Sequence, residues 1–331
     1  MELHHIFLLN PAAGHSDQTA ALHAEIDRVC RARGLDYCVL LSQYKGHISE
    51  LTAEYAQSHG HVQCRFYACG GDGTLNEVVT GALGYENAEV ACYACGTGND
   101  FIKLFDRPER FRELESVIDG QPAPFDAMTV QGENGEHFAA LNICSAGIDA
   151  RVADWVGRNK RRFAFGGKLI YDLSLAKAYF APLSRYYKVT VDGVRFDGDF
   201  SILVAASGRY YGGGYYAVPE AEPDDGVLDF LFVKKVGHIG ILSLIGKYQA
   251  GRHREFGEKA IFLHGQELVL ESRKPEPVNF DGEILTSRRV TIRRSEDKLP
   301  FVIPAGTALI RTKNENESIQ EESRVNSSKP G

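Results

Sequence analysis

The sequence predicts an α/β N-terminal domain built on a doubly wound, mainly parallel sheet, followed by a β-rich, sandwich-like second domain with a few helices. Three observations predict it. Strand-like apolar runs alternate with segments of helical period through the first hundred residues, joined by short connections, as in a parallel sheet. Three of those strands run into glycine-bearing loops, and right-handed crossovers gather such loops along one sheet edge. Beyond Pro122-Ala-Pro124 the texture changes to many short β-rich runs.

Taken in order, residues 4–9 form a strand that ends in Asn10-Pro11-Ala12-Ala13-Gly14. A helix over 17–32 carries Leu22, Ile26, Val29 and Cys30 on one face. The strand Leu35–Ser42 leads to Gly46-His47, and Ile48, Leu51 and Tyr55 mark the next helix. The strand Val62–Cys69 ends in Gly70-Gly71-Asp72-Gly73, after which Leu75, Val78, Val79, Ala82 and Leu83 recur at helical spacing. Thr74 and Glu77 have capping-box spacing and predict a helix start there. The strand Glu89–Ala94 ends in Gly96-Thr97-Gly98-Asn99-Asp100-Phe101. Strands are then predicted at 125–131, 137–145, 186–192, 200–206, 227–233, 259–263, 267–271, 277–281 and 290–294, with helices at 148–157, 167–180 and 238–249. The domains read as 1–124 and 125–300, with the apolar stretch 301–312 returning to the first and a polar, disordered tail over 313–331.

Composition narrows the class. With 331 residues, 44% hydrophobic and 24% charged, the chain suits a globular protein of two domains. A net charge of −7 argues against a nucleic-acid partner. No stretch is long and apolar enough for a spanning helix, and the start lacks a signal-peptide pattern, so a cytoplasmic protein is expected. The seven cysteines read as reduced core residues. Cys92-Tyr-Ala-Cys95 lies on a predicted strand, where positions i and i+3 face opposite sides, which disfavours a redox or zinc motif.

The turn at Gly70–Gly73 carries the clearest chemistry. Strand, glycine turn and helix N-terminus together form a natural phosphate cradle. A carboxylate in that turn, Asp72, is repelled by phosphate unless it holds a metal, a metal-bound water or a hydroxyl. That combination suggests a metal–nucleotide ligand. Two later acidic stretches are open to a plain reading as turns. Asp281-Gly282-Glu283 is also a favoured hairpin sequence. Pro223-Asp224-Asp225-Gly226, followed by Asp229, is either a turn or an oxygen site for a hard cation.

Five motifs in order resemble the diacylglycerol kinase catalytic-domain family, specifically the small bacterial soluble lipid kinases: Asn10-Pro-x-x-Gly14, Gly70-Gly-Asp-Gly-Thr-Leu-Asn-Glu77, Gly96-Thr-Gly-Asn-Asp-Phe101, Asp225-Gly-x-x-Asp229 and Asp281-Gly-Glu283. The resemblance covers 1–312 and implies an ATP-dependent lipid kinase that moves the γ-phosphoryl group to a hydroxyl of diacylglycerol or a related lipid. It implies ATP contacts from Asn10, Pro11, Ala12, Ala13, Gly14, Ser42, Gly71, Asp72, Gly73, Thr74, Leu75, Asn76, Glu77, Thr97 and Asn99. It implies that Asp72 organises a catalytic Mg²⁺ through water, supported by Asp100 and Asp126, and that Asp281 and Glu283 form the catalytic acidic pair, with Glu283 the proton acceptor. A structural Mg²⁺ is implied at Asp225 and the carbonyls of Glu222 and Val227. The chain departs from the family at His15, where many members carry Lys or Arg, with Lys45 or Lys103 as substitutes, and at Ala94 and Ser207.

Two other functions stay open on the sequence: a NAD kinase-like phosphotransferase, which shares Gly-Gly-Asp-Gly, and a non-catalytic nucleotide-binding regulator. The absence of G-x-x-x-x-G-K-[ST] excludes a P-loop kinase. The cluster Arg158-Asn-Lys160-Arg161-Arg162, before Phe163 and Phe165, is either a solvated face or a contact to anionic membrane lipid. An exposed edge strand of the second domain gives a route to a homodimer.

Overall fold

The computed structural model describes residues 3–11, 18–96, 98–159 and 182–312. The expected helix 167–180 and the tail 313–331 lie outside the described residues. The first half is β1 (Leu3–Leu9), α1 (Thr19–Arg33), β2 (Tyr37–Leu41), α2 (His47–Ser58), β3 (Gln63–Gly70), α3 (Asp72–Ala82) and β4 (Ala88–Ala94). Its strands stand in the order β2-β1-β3-β4, and every pairing among them is parallel. Alternation along each strand divides the apolar side chains between two faces. Ile6 and Leu8 share a core with Ile48 of α2 and with Leu75, Val78 and Val79 of α3. Phe7 and Leu9 face the other way, onto Ile26, Val29 and Cys30 of α1. This is the doubly wound arrangement, and it puts the loops after β1, β3 and β4 at one edge.

After two 3-10 turns at Phe101–Leu104 and Pro108–Arg112 come α4 (Leu114–Ile118), β5 (Gln121–Gly132), β6 (His137–Ala140), β7 (Ile143–Gly147) and α5 (Ile148–Asn159). The rest is β8 (Arg185–Val191), β9 (Val194–Arg195), β10 (Gly198–Ala206), the small hairpin β11 (Tyr210–Tyr211) and β12 (Tyr215–Tyr216), β13 (Leu228–Lys234), α6 (His238–Gln249), β14 (Ala260–Gly265), β15 (Glu267–Phe280) and β16 (Glu283–Ile303). The β-rich half has its own cores, one around Phe230, Phe232 and Val290, another around Ile143, Val204 and Leu231.

One strand joins the halves. β16 runs 21 residues. It pairs with β15 and β5 antiparallel, and at its far end Phe301 pairs parallel with Val90 of β4. The sequence suggests three short strands, at 267–271, 277–281 and 290–294, where the structure has two long ones. The reason lies in the stretch Ser272-Arg-Lys-Pro-Glu-Pro277: its charges and prolines read as a break, but it is accommodated as a register shift between Glu271 and Glu276. A second shift falls between Arg294 and Lys298. The expected domain limit at 124/125 falls inside β5.

The capping-box expectation is also corrected. α3 begins at Asp72 with Gly71 as its N-cap, and no side chain caps it. Glu77 turns to the neighbouring helix instead, accepting the N–H groups of Gly46 (3.0 Å) and Ile48 (3.1 Å) at the start of α2. All seven cysteines are free thiols. Burial pushes Cys95 up to about 12 and Cys92 higher still.

Candidate active site

The loops after β3 and β4 touch through glycine. A Cβ on Gly96 would lie 2.3 Å from the Gly71 Cα, and one on Gly70 would lie 2.2 Å from Thr74 Oγ1. A Cβ on Gly98 would come within 2.8 Å of Asp72 Oδ2. The N–H groups of Cys95 and Gly96 both reach the Gly70 carbonyl, at 3.0 and 2.9 Å. Only glycine lets the two loops lock together at the N-terminus of α3.

That locked turn forms one wall of a cleft of about 770 Å³ between the two halves. Asn10, Pro11, Ser42, Gly71, Asp72, Gly73, Thr74, Leu75, Glu77 and Asp100 line it from the α/β side. Leu141, Asn142, Asn279, Asp281, Gly282 and Glu283 line it from the β side. The structure therefore brings the glycine turn and the Asp281–Glu283 stretch to the same groove. Ala12, Ala13, Gly14 and Thr97 lie outside the described residues.

Asp72 accepts the Asp100 N–H at 2.8 Å and the Phe101 N–H at 3.4 Å. Its carboxyl is nonetheless pushed up to about 6, first by burial, with the charges of Asp100 and Asp281 adding to the rise. Asp100 in turn takes the Lys103 ammonium at 2.5 Å and the Gly213 N–H at 2.7 Å. The latter ties the β11–β12 loop of the second half to the acids of the first.

Asp281 and Gly282 form the two-residue loop between β15 and β16, with φ of +48° and +94° and Phe280 paired to Glu283. Both signs are those of a primed hairpin turn, which Asp-Gly favours. So the stretch is a hairpin turn and an acidic site at once. The two acids differ. Asp281 is turned inward and accepts the N–H groups of Leu141 (2.7 Å), Asn142 (3.2 Å) and Ile143 (2.9 Å). Burial pushes its carboxyl up, while those amides hold it down. Glu283 faces the groove, beside the turn: a Cβ on Gly73 would lie 3.5 Å from its Oε1. It forms an ion pair with Lys45.

Other expected residues stand elsewhere. Asn76 is buried and donates to the Ala139 carbonyl at 2.8 Å, fastening α3 to the β half. Asn99, in a left-handed conformation, donates to the Gly96 carbonyl and braces its own loop. Asp126 is fully buried and is not among the cleft-lining residues. It meets the Lys298 ammonium at 2.7 Å and Arg294 at 3.4 Å, and accepts the Gly226 N–H at 2.8 Å. Asp126 thus belongs to the 222–227 loop and does not stand beside Asp72. Sequence reasoning missed the amides of Leu141–Ile143 that hold Asp281, since backbone donors leave no residue signature.

No group of three or more His, Cys, Asp or Glu side chains among the described residues is placed to hold a metal ion. At the cleft, the oxygens of Asp72 and Asp100 suit a hard cation, but both carboxylates already accept backbone N–H groups, which fits an ion reached through water. At the 222–227 loop the fit is poor. Glu222 is paired with Arg209 and Arg311, Asp224 with Arg311, and Asp126 with Lys298. Asp225 accepts the Val227 N–H at 3.2 Å. Protein cations balance this loop, and we derive no chemistry through an ion there.

An α/β half bearing a glycine-lined helix N-terminus faces a β-rich half across an acidic groove. Two family models match the chain in tandem, the diacylglycerol kinase catalytic domain over 4–130 and the YegS C-terminal NAD kinase beta sandwich-like domain over 142–303. The chain thus joins a diacylglycerol kinase catalytic domain to a YegS-type C-terminal domain. Among relatives, a protein of Pseudomonas aeruginosa named "Probable lipid kinase YegS-like" is 28% identical over 307 residues, covering 90% of this chain and 93% of that one. A solved structure of a diacylglycerol kinase from Bacillus anthracis shares the fold, with a TM-score of 0.64 and 21% identity over 93% of this chain and 98% of that one.

Proposed function

We propose that this protein is an ATP-dependent lipid kinase that transfers the γ-phosphoryl group to a hydroxyl of diacylglycerol or a related lipid, giving phosphatidic acid or an analogue. The observation that carries it is the meeting of Gly71–Thr74 and Glu283 in one cleft. Phosphoryl transfer asks little covalent help of a protein. It asks for positioned phosphates, neutralised charge and an acceptor for the hydroxyl proton.

The N–H groups at the start of α3 and the close-packed glycines hold the triphosphate. When bound, Mg²⁺ neutralises phosphate charge as the γ-phosphoryl group departs. Asp72 and Asp100 are the residues that would hold it, through water. Glu283 faces the groove and takes the proton of the lipid hydroxyl. Asp281 sets the hairpin on which Glu283 is carried by binding the Leu141–Ile143 amides. Catalysis at a bilayer calls for peripheral contact with anionic membrane lipid. Arg158 of the basic cluster lies in α5, and its remaining cations lie outside the described residues. No described helix is long and apolar enough to cross a membrane. The edge strand β14 is where a second copy would add to the sheet in a homodimer.

The test is phosphorylation of a lipid panel with diacylglycerol, phosphatidylglycerol, ceramide and a sphingoid base, and with NAD as the acceptor of the competing reading. Wild type should label a lipid and leave NAD unlabelled. Labelled NAD with unlabelled lipids would replace this proposal with a NAD kinase. ATP binding without turnover on any acceptor would replace it with a regulator.

A further inference from the structure

A triphosphate entering this cleft meets an adverse field. Among the described lining residues there are five carboxylates, on Asp72, Glu77, Asp100, Asp281 and Glu283, and one lysine or arginine, Lys45. Four of those carboxylates are bound to backbone N–H groups. Asp72 takes Asp100 and Phe101, Glu77 takes Gly46 and Ile48, Asp281 takes Leu141, Asn142 and Ile143, and Asp100 takes Gly213 together with the ammonium of Lys103, which stands behind it outside the lining. Glu283 instead meets the Lys45 ammonium.

Position makes this pair more than a surface contact. Glu283 stands beside Gly73, in the first turn of the 11-residue helix α3. The N–H groups and positive dipole end there draw negative charge. A nucleotide's terminal phosphate is drawn to the same place. Lys45 hangs from a loop whose far side is pinned by the two Glu77 bonds, while its own side chain is 76% exposed. Its backbone is fixed and its ammonium is free to swing at little cost.

We infer that Lys45 is a positioning residue shared between Glu283 and the terminal phosphate of the nucleotide, so that carboxylate and phosphate compete for one cation at one helix end. The inference rests on the proposed function for the identity of the phosphate ligand. Binding of the nucleotide draws Lys45 onto phosphate oxygen and leaves Glu283 unpaired, facing the groove as a proton acceptor. The base is thus released when the phosphoryl donor is seated, which makes nucleotide the first substrate to bind.

The experiment is equilibrium binding of ADP and of a non-hydrolysable ATP analogue, with Mg²⁺, to the full chain and to Glu283→Gln, Lys45→Met and Lys45→Arg. Glu283→Gln keeps the shape and removes the competitor, so it should bind the analogue about tenfold more tightly than wild type. Lys45→Met should bind it about tenfold more weakly, and Lys45→Arg within about threefold of wild type. Both changes should be smaller with ADP, which lacks the terminal phosphate. Equal or weaker analogue binding by Glu283→Gln, or unchanged binding by Lys45→Met, overturns the inference. Both side chains lie at the cleft surface, so matching melting curves are expected and serve as the folding control. Lost lipid turnover in Glu283→Gln with unchanged nucleotide affinity sinks the sharing of Lys45 and leaves the kinase proposal standing. Tightened binding with no lipid turnover in wild type does the reverse.

Discussion

Asp72 should destabilise the fold it serves, and Asp72→Asn should show it. Burial and the neighbouring acids raise its carboxyl from 3.8 to about 6. Each tenfold in proton affinity is worth about 1.4 kcal/mol. Ionising Asp72 in the folded protein therefore carries a penalty of about 3 kcal/mol relative to the unfolded chain. The sign follows from the raised value. Below about pH 4 both states hold the proton and the penalty is absent. Between about pH 4 and about pH 6 the folded state binds more protons than the unfolded one, so stability falls as pH rises. Above about pH 6 the full penalty remains. Asparagine removes the charge and keeps Oδ1 for the Asp100 and Phe101 N–H groups, but replaces with an amide NH2 the Oδ2 that shares the Asp100 N–H at 3.0 Å. The net expectation is a gain of about 1–3 kcal/mol at pH 7 that falls by about 3 kcal/mol, to zero or below, towards pH 4. Urea unfolding in chelator, followed by the single Trp155, measures it. A variant less stable than wild type at pH 7, or a difference flat from pH 4 to pH 7, refutes the burial argument. The same variant should lose lipid phosphorylation, since the charge that weakens the fold is the one that serves the nucleotide.

Further substitutions separate scaffold from site. Glu77→Ala strips two acceptors from the start of α2. It should cost about 2–4 kcal/mol and raise the KM for ATP as the 42–46 loop loosens; melting and kinetics read the two effects. Gly96→Ala forces a Cβ against the Gly71 backbone and should cost about 1–3 kcal/mol together with most of the nucleotide affinity. Arg65→Met leaves Glu89 buried without its cation, 2.8 Å away in the native protein; the expected loss is about 3–5 kcal/mol, with KM for ATP unchanged. Asp281→Asn keeps a residue tolerant of the left-handed turn but weakens the grip on three amides. It should lower stability by about 1–3 kcal/mol and slow turnover without changing ATP affinity.

Much of the fold is legible in the sequence because local patterns carry it. The alternation of β1 to β4 with α1 to α3 is written in period-2 and period-3.6 runs, and α6 falls on its expected residues. The cleft is legible as well, since glycine turns and acids recur at the ends of predicted strands. What local pattern cannot show is partnership at a distance. β16 reads as fragments because exposed arginines and acids fall between its apolar positions, and its continuity comes from pairing with β5 and β15. Glu77 has the spacing to cap its own helix, but α2 lies close enough to take it. Asp126 has the residue type of a metal ligand, and Lys298, 172 positions away in sequence but 2.7 Å away in space, makes it an ion-pair partner. Asn76 likewise answers to a carbonyl of β6.

The most direct test of the central claim, that glycine turn and Glu283 serve one phosphoryl transfer, is passage of label from γ-labelled ATP into extracted lipid by wild type and Glu283→Gln side by side. Wild type should label a hydroxyl lipid, and the variant should be slower by roughly 10²–10⁴-fold while still binding nucleotide. Equal labelling by both proteins contradicts the account.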